Sequence, residues 1–152
     1  MPDLRDLYQE VILDHSKRPR NFRKPDAPSR HADGYNPLCG DKVTVYLTIR
    51  DGVVCDAAFQ GSGCAISTAS ASMMTDLLKG RTRAEAEALF ERFHDLVTGP
   101  PVGELPADPA LGKLAVFSGV REFPARVKCA TLVWHAMRSA LHAEDEAIVS
   151  TE

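Results

Sequence analysis

The sequence predicts an α+β fold: a small antiparallel sheet of two or three strands with helices packed on one face. Two observations carry this. Residues 42–50 and 53–60 alternate apolar and polar side chains on either side of Asp51-Gly52, the strongest short hairpin signal. Beyond Cys64 the apolar residues recur at helical spacing almost to the end. Strands followed by a run of helices imply a sheet covered on one face, not alternating βαβ units. A length of 152 residues suits one domain, residues 1–152.

The elements follow in order. Residues 4–15 carry Leu4, Leu7, Tyr8, Val11 and Ile12 on one helical stripe, widened by Leu13, which predicts an amphipathic helix. Pro19 stops it. Residues 17–38 are rich in Pro and charge, an irregular connection with a short strand near 31–36. In the first hairpin strand Val43, Val45, Leu47 and Ile49 share a face. In the return strand Val53, Cys55, Ala57 and Phe59 do so, and Gly61-Ser62-Gly63 then breaks it.

Residues 65–78 predict a helix, small at first (Ala65, Ala69, Ala71) and bulkier later (Met73, Met74, Leu77, Leu78), stopped at Gly80. Thr82-Arg83-Ala84-Glu85 is a capping box opening the next helix, to about residue 97. Gly99-Pro100-Pro101 ends it, and Asp108-Pro109 predicts a short helix over 109–117. Val127, Leu132, Val133, Ala136, Met137, Ala140 and Leu141 form a last helical stripe from about 125 to 142, and the final ten residues read as frayed.

Composition excludes several classes. The net charge of −3 and the lack of interleaved basic and aromatic residues argue against a nucleic-acid groove. No apolar run approaches the ~20 residues of a membrane span. The first eight residues are charged from Asp3 onward and lack the apolar stretch of a signal peptide, so a cytoplasmic location is expected. In that reducing compartment the four cysteines are not expected to pair as structural disulfides.

Three cysteines stand at element boundaries preceded by Gly or Pro. Cys39 lies in Asn36-Pro37-Leu38-Cys39-Gly40-Asp41, two residues before Asp41, where a tight turn can aim both side chains at one cation. A small turn residue and a strand-start cap are the alternative. Cys64 follows Gly61-Ser62-Gly63 at a helix N-terminus, where unpaired N–H groups and the helix dipole favour an anion such as thiolate. Cys129 falls in the first turns of the last helix, flanked by Arg126 and Lys128, which would stabilise thiolate; a core position on the apolar stripe is the alternative. Cys55 reads as an inert core cysteine. The separations match no C-x-x-C or finger pattern. Three thiolates and one carboxylate, Asp41, would complete a tetrahedral zinc shell whose excess negative charge Arg126 or Lys128 would offset. The histidines fit less well: His15 as a cation at a helix C-terminus, His31 in the connection, and His94, His135 and His142 on helix surfaces or edges.

At these residues the chain resembles the SufU branch of the iron–sulfur cluster assembly proteins, the IscU-like fold. The matching stretches are Leu7-Tyr8 through Val11-Ile12-Leu13-Asp14-His15 with Pro19-Arg20-Asn21, Asn36 to Asp41, Asp51-Gly52, Gly61-Ser62-Gly63-Cys64-Ala65-Ile66-Ser67 with Ala69-Ser70-Ala71-Ser72, and Phe123-Pro124 with Arg126-Val127-Lys128-Cys129-Ala130 and Trp134. The resemblance implies that Cys39, Asp41, Cys64 and Cys129 bind zinc. It implies that Cys39 accepts persulfide sulfur from a SufS-type cysteine desulfurase and passes it toward a downstream cluster scaffold, and that Arg126 supports the site without being a ligand. Lys128 stands where the scaffold branch carries a His, and Phe123-Pro124-Ala125-Arg126 replaces that branch's chaperone-binding stretch. Residues 81–118 look like the longer SufU insertion. The alternatives are a scaffold holding iron or a [2Fe–2S] cluster, a module with structural zinc only, and a metal-free cysteine hydrolase, for which no His adjoins a cysteine to act as base.

Overall fold

The computed structural model describes residues 4–25, 30–36, 40–98, 114, 117, 124–142 and 147–150. The expected helix over 109–117 falls outside them except for Leu114 and Phe117, both buried. The expected stop at 99–101 also lies outside the described residues.

The chain runs α1 (Leu4–Lys17), β1 (Arg30–Asn36), β2 (Asp41–Arg50), β3 (Val53–Ser62), α2 (Ala65–Leu78), α3 (Arg83–Thr98), α4 (Pro124–His142) and β4 (Ala147–Ser150). The α+β expectation holds, and the sheet is larger than expected, with four strands in the order β3-β2-β1-β4. β1 pairs antiparallel with β2 along its whole length, from Arg30↔Leu47 to Asn36↔Asp41. β4 pairs parallel with β1, so the chain end that reads as frayed by composition closes the sheet edge. Nothing in the polarity of four residues, Ala147–Ser150, reveals a backbone partner more than a hundred residues earlier.

The hairpin turn is as expected: Asp51 and Gly52 take φ of 54° and 75°, the left-handed values this turn requires. The β3 face needs correction. Thr48 pairs with Asp56 and Ile49 with Val54, so Cys55 is an extra residue in a bulge. The bulge shifts the alternation by one, burying Val54 completely and leaving Cys55 exposed, not in the core. Nor does Gly61 break the strand, because pairing continues to Lys42↔Ser62.

Helices α2 and α4 pack against each other, α4 lies across β1 and β2, and α1 lies on α2. Val45, Leu47, Met74, Leu78, Leu132, Val133 and Met137 fill the space between sheet and helices with no solvent exposure. Each such side chain contributes roughly 1.5–3 kcal/mol by leaving water. Phe93 of α3 stacks on Trp134 of α4, ring centroids 4.5 Å apart. The capping box at α3 forms in both directions: Glu85 N–H donates to Thr82 Oγ1 and Thr82 N–H to Glu85 Oε1, each at 3.1 Å.

His15 stands in the last turn of α1, as expected, but is buried there, and its Nδ1 lies 2.7 Å from Ser72 Oγ. His135 is half-buried, edge-on to Phe90 at 5.2 Å and 6.2 Å from His94. Burial first, then the nearby His94 and Arg138, hold its pKa below the usual histidine value. The unfolded chain therefore takes up a proton at this residue, near pH 6.5, before the folded one does. Stability present above that pH is lost as pH falls below it. His135→Gln should flatten the acid-side slope by at most about 1.4 kcal/mol per pH unit, the value for one proton. Urea unfolding at pH 7.5 and 5.5 checks this, and an unchanged slope would refute it.

A candidate thiol and carboxylate centre

Three of the four expected ligands come together. The donor atoms of Asp41, Cys64 and Cys129 all lie within 4.8 Å of one another. Each arrives by a different local device. Asp41 opens β2, fixed opposite Asn36 by the strand register. Gly40, at φ 71°, donates its N–H to Asn36 O at 2.8 Å, which closes the β1–β2 turn next to it. Cys64 is the N-cap of α2: its extended backbone leaves the helix start open and its Sγ accepts the Ser67 N–H at 3.4 Å. Cys129 enters from the second turn of α4, on the face packed against α2 and the sheet.

Asp41 and Cys64 are further locked together. Cys64 N–H donates to Asp41 Oδ1 at 3.0 Å, and Cys64 Sγ lies 3.8 Å from Asp41 Oδ2. Gly63 makes this approach possible, since a Cβ there would sit 2.9 Å from Asp41 Oδ1. Asp41 is 1% and Cys129 2% exposed, while Cys64 keeps partial access to solvent.

Ionised together, one carboxylate and two thiolates would crowd three negative charges into a largely desolvated volume. Their repulsion there is worth several kcal/mol unless a cation intervenes. Ligand atoms of a tetrahedral zinc site lie roughly 3.5–3.8 Å apart, given its bond lengths. The Cys64 Sγ to Asp41 Oδ2 separation of 3.8 Å already meets that spacing. The donor set therefore fits a divalent zinc-like ion with one position left for a fourth ligand.

The fourth expected ligand, Cys39, lies outside the described residues. Arg126 is exposed and Lys128 half-buried. Among the described residues neither forms an ion pair with Asp41. The histidines stay apart from the cluster: His94 and His135 face each other, and His142 pairs with Glu87 across α4 and α3. Gly63, Ser67 and Ser70 stand in the matching stretches of the sequence without a role of their own there. The run of small residues in 61–72 was their signal, but nothing in it separates close packing from support of a site.

A carboxylate and two thiols, gathered from a strand start and two helix starts, define a small α+β protein built around one thiol–carboxylate centre. The chain belongs to the NifU-like N-terminal domain family, whose model matches residues 7–130, and within it to the SufU-type iron–sulfur cluster assembly proteins. It is 40% identical over 143 residues to the zinc-dependent sulfurtransferase SufU of Bacillus subtilis (strain 168), covering 94% of this chain and 95% of that one. It is 41% identical over 138 residues to the iron–sulfur cluster assembly scaffold protein IscU of Streptococcus pyogenes serotype M1, covering 91% and 84%. The crystal structure of the SUF-system protein FiSufU from Fervidobacterium islandicum AW-1 superposes with a TM-score of 0.80 at 32% identity, covering 91% of this chain and 99% of that one. Among the described residues no helix is long and apolar enough to cross a membrane.

Proposed function

We propose that this protein is a zinc-dependent sulfurtransferase that accepts persulfide sulfur from a SufS-type cysteine desulfurase for iron–sulfur cluster assembly. The observation that carries the reading is the convergence of Asp41, Cys64 and Cys129 within 4.8 Å. Cys39 is the fourth ligand and the sulfur acceptor. In sequence it precedes Asp41 by two residues, with only Gly40 between them. A bound zinc ion would keep the thiols ionised and fix their arrangement.

The transfer is a thiol–disulfide type exchange. The Cys39 thiolate attacks the outer sulfur of the desulfurase persulfide. A sulfur–sulfur bond forms on Cys39, the one on the desulfurase breaks, and the desulfurase cysteine leaves as thiolate, with no net oxidation. Arg126, exposed one helical turn before Cys129, is suited to meet the anionic persulfide as it docks. The downstream cluster scaffold then receives the sulfur, and a cytoplasmic setting keeps the thiols reduced.

Purified protein should hold about one zinc per chain and raise desulfurase turnover. Cys39→Ala should fold yet lose nearly all of that stimulation, measured as sulfide release under a reductant. Full stimulation by the variant would sink the relay. The second reading, a [2Fe–2S] scaffold, draws on the name of the Streptococcus pyogenes relative. Lys128 weighs against it, because a protonated ammonium offers no lone pair where the scaffold branch carries an imidazole. Cluster absorption after anaerobic reconstitution, with zinc readily displaced, would favour the scaffold.

A further inference from the structure

Helices α2 and α4 bring Cys64 and Cys129 to the site, and something must fix their separation. Ser70, fully buried in α2, donates from Oγ to the carbonyl of Ala130 at 2.6 Å. Ala130 directly follows Cys129. The same Oγ accepts the indole N–H of Trp134 at 3.1 Å, one turn further along α4. One hydroxyl thus uses its proton and a lone pair to clasp two points of the helix that carries Cys129. Ser72, also fully buried, turns the other way: its Oγ accepts the Arg20 N–H at 2.8 Å and meets His15 Nδ1 at 2.7 Å. Two residues along a helix are about 200° apart, so the two serines serve opposite faces of α2.

We propose that Ser70 is a positioning residue of the metal centre: its clasp on Ala130 and Trp134 holds Cys129 at ligating distance from Cys64 and Asp41. This rests on the reading of that centre as a zinc site. Burial requires both hydroxyls to be hydrogen-bonded, so loss of either costs stability. Only loss of the Ser70 clasp should also loosen the ligand set. Partners that orient a ligand from outside typically change metal affinity about 10–100-fold.

The test compares Ser70→Ala with Ser72→Ala in the full-length chain, titrating zinc against a chromophoric chelator. Ser70→Ala should bind zinc at least about tenfold more weakly, while Ser72→Ala stays within about twofold of wild type despite a comparable loss of thermal stability. Ser70→Thr, which keeps the hydroxyl, should restore most of the affinity. Equal affinities for the two alanine variants would overturn the positioning role alone. Wild-type protein that binds no zinc would overturn the zinc reading and this inference with it. A measurement independent of how Ser70→Ala folds uses the single tryptophan. In wild type the Trp134 indole N–H resonance should shift, and its hydrogen exchange slow, on zinc addition. An indole signal unmoved by zinc in protein that demonstrably binds it would overturn the clasp.

Discussion

Cys64→Ser should keep its fold and lose the proposed zinc. Serine is among the best N-cap residues, so its hydroxyl can take over the Ser67 N–H that Cys64 Sγ now accepts. The backbone N–H of residue 64 still donates to Asp41 Oδ1 whatever the side chain. What the substitution removes is a soft, ionisable sulfur, replaced by an oxygen that stays protonated at neutral pH and binds zinc poorly. Affinity should fall by more than about 100-fold, beyond the range seen for residues that only orient a ligand. Circular dichroism of α2 should be unchanged, and metal analysis after gel filtration should find less than a tenth of the wild-type zinc. Desulfurase stimulation should fall in parallel. A variant that retains its zinc would reduce Cys64 to a helix cap and remove the thiol–carboxylate centre as a metal site.

This variant separates two roles that the sequence superimposes. A Gly-Ser-Gly-Cys stretch before a small-residue helix announces a helix start and also a thiol in an anion-favouring position. Local chemistry does not say which matters. The hairpin, α2, the α3 capping box and α4 were legible because each is specified within a dozen residues by period, turn or cap. Asp41 and Cys129 each had a bland local reading, as a strand-start cap and a core thiol. Both are buried as those readings imply, and both also face Cys64. Burial and convergence are compatible, and only the strand register and helix packing distinguish burial alone from a site.

The misread residues share one cause. Cys55 leaves the core because one extra residue between Val54 and Asp56 reverses the alternation, and a bulge has no composition of its own here. His15 is drawn inward by Ser72, 57 residues away. β4 exists by pairing with β1. Each depends on a partner remote in sequence, which no local window contains. The small residues of the 61–72 stretch were visible without their reason. Their bulk is missing because backbone, carboxylate and neighbouring helix come within contact there.

Gly61 and Gly63 allow that reason to be tested, with opposite outcomes expected two residues apart. Gly61 sits at φ 151° against β2, and a Cβ there would lie 2.1 Å from Lys42 O and 2.8 Å from Val43 Cα. Both obstacles are backbone of a paired strand and cannot swing aside. Gly61→Ala should therefore cost about 3 kcal/mol or more, from disfavoured φ plus overpacking. The expected readout is a lower urea midpoint at unchanged m-value. At Gly63 the obstacle is the Asp41 carboxylate, 2.9 Å from the added Cβ, with Ser67 Oγ at 3.1 Å. Side chains can rotate, so Gly63→Ala should cost only about 1 kcal/mol, the ordinary effect of a point substitution. The rotation, however, carries the proposed ligand oxygen away from Cys64 and breaks the 3.0 Å hydrogen bond from its N–H. Zinc affinity should drop about tenfold or more in Gly63→Ala, while Gly61→Ala, measured at a temperature where it remains folded, should bind nearly as wild type. If Gly63→Ala held zinc unimpaired, the Asp41 carboxylate would not be a ligand, and its burial beside Cys64 would be a matter of packing and capping alone.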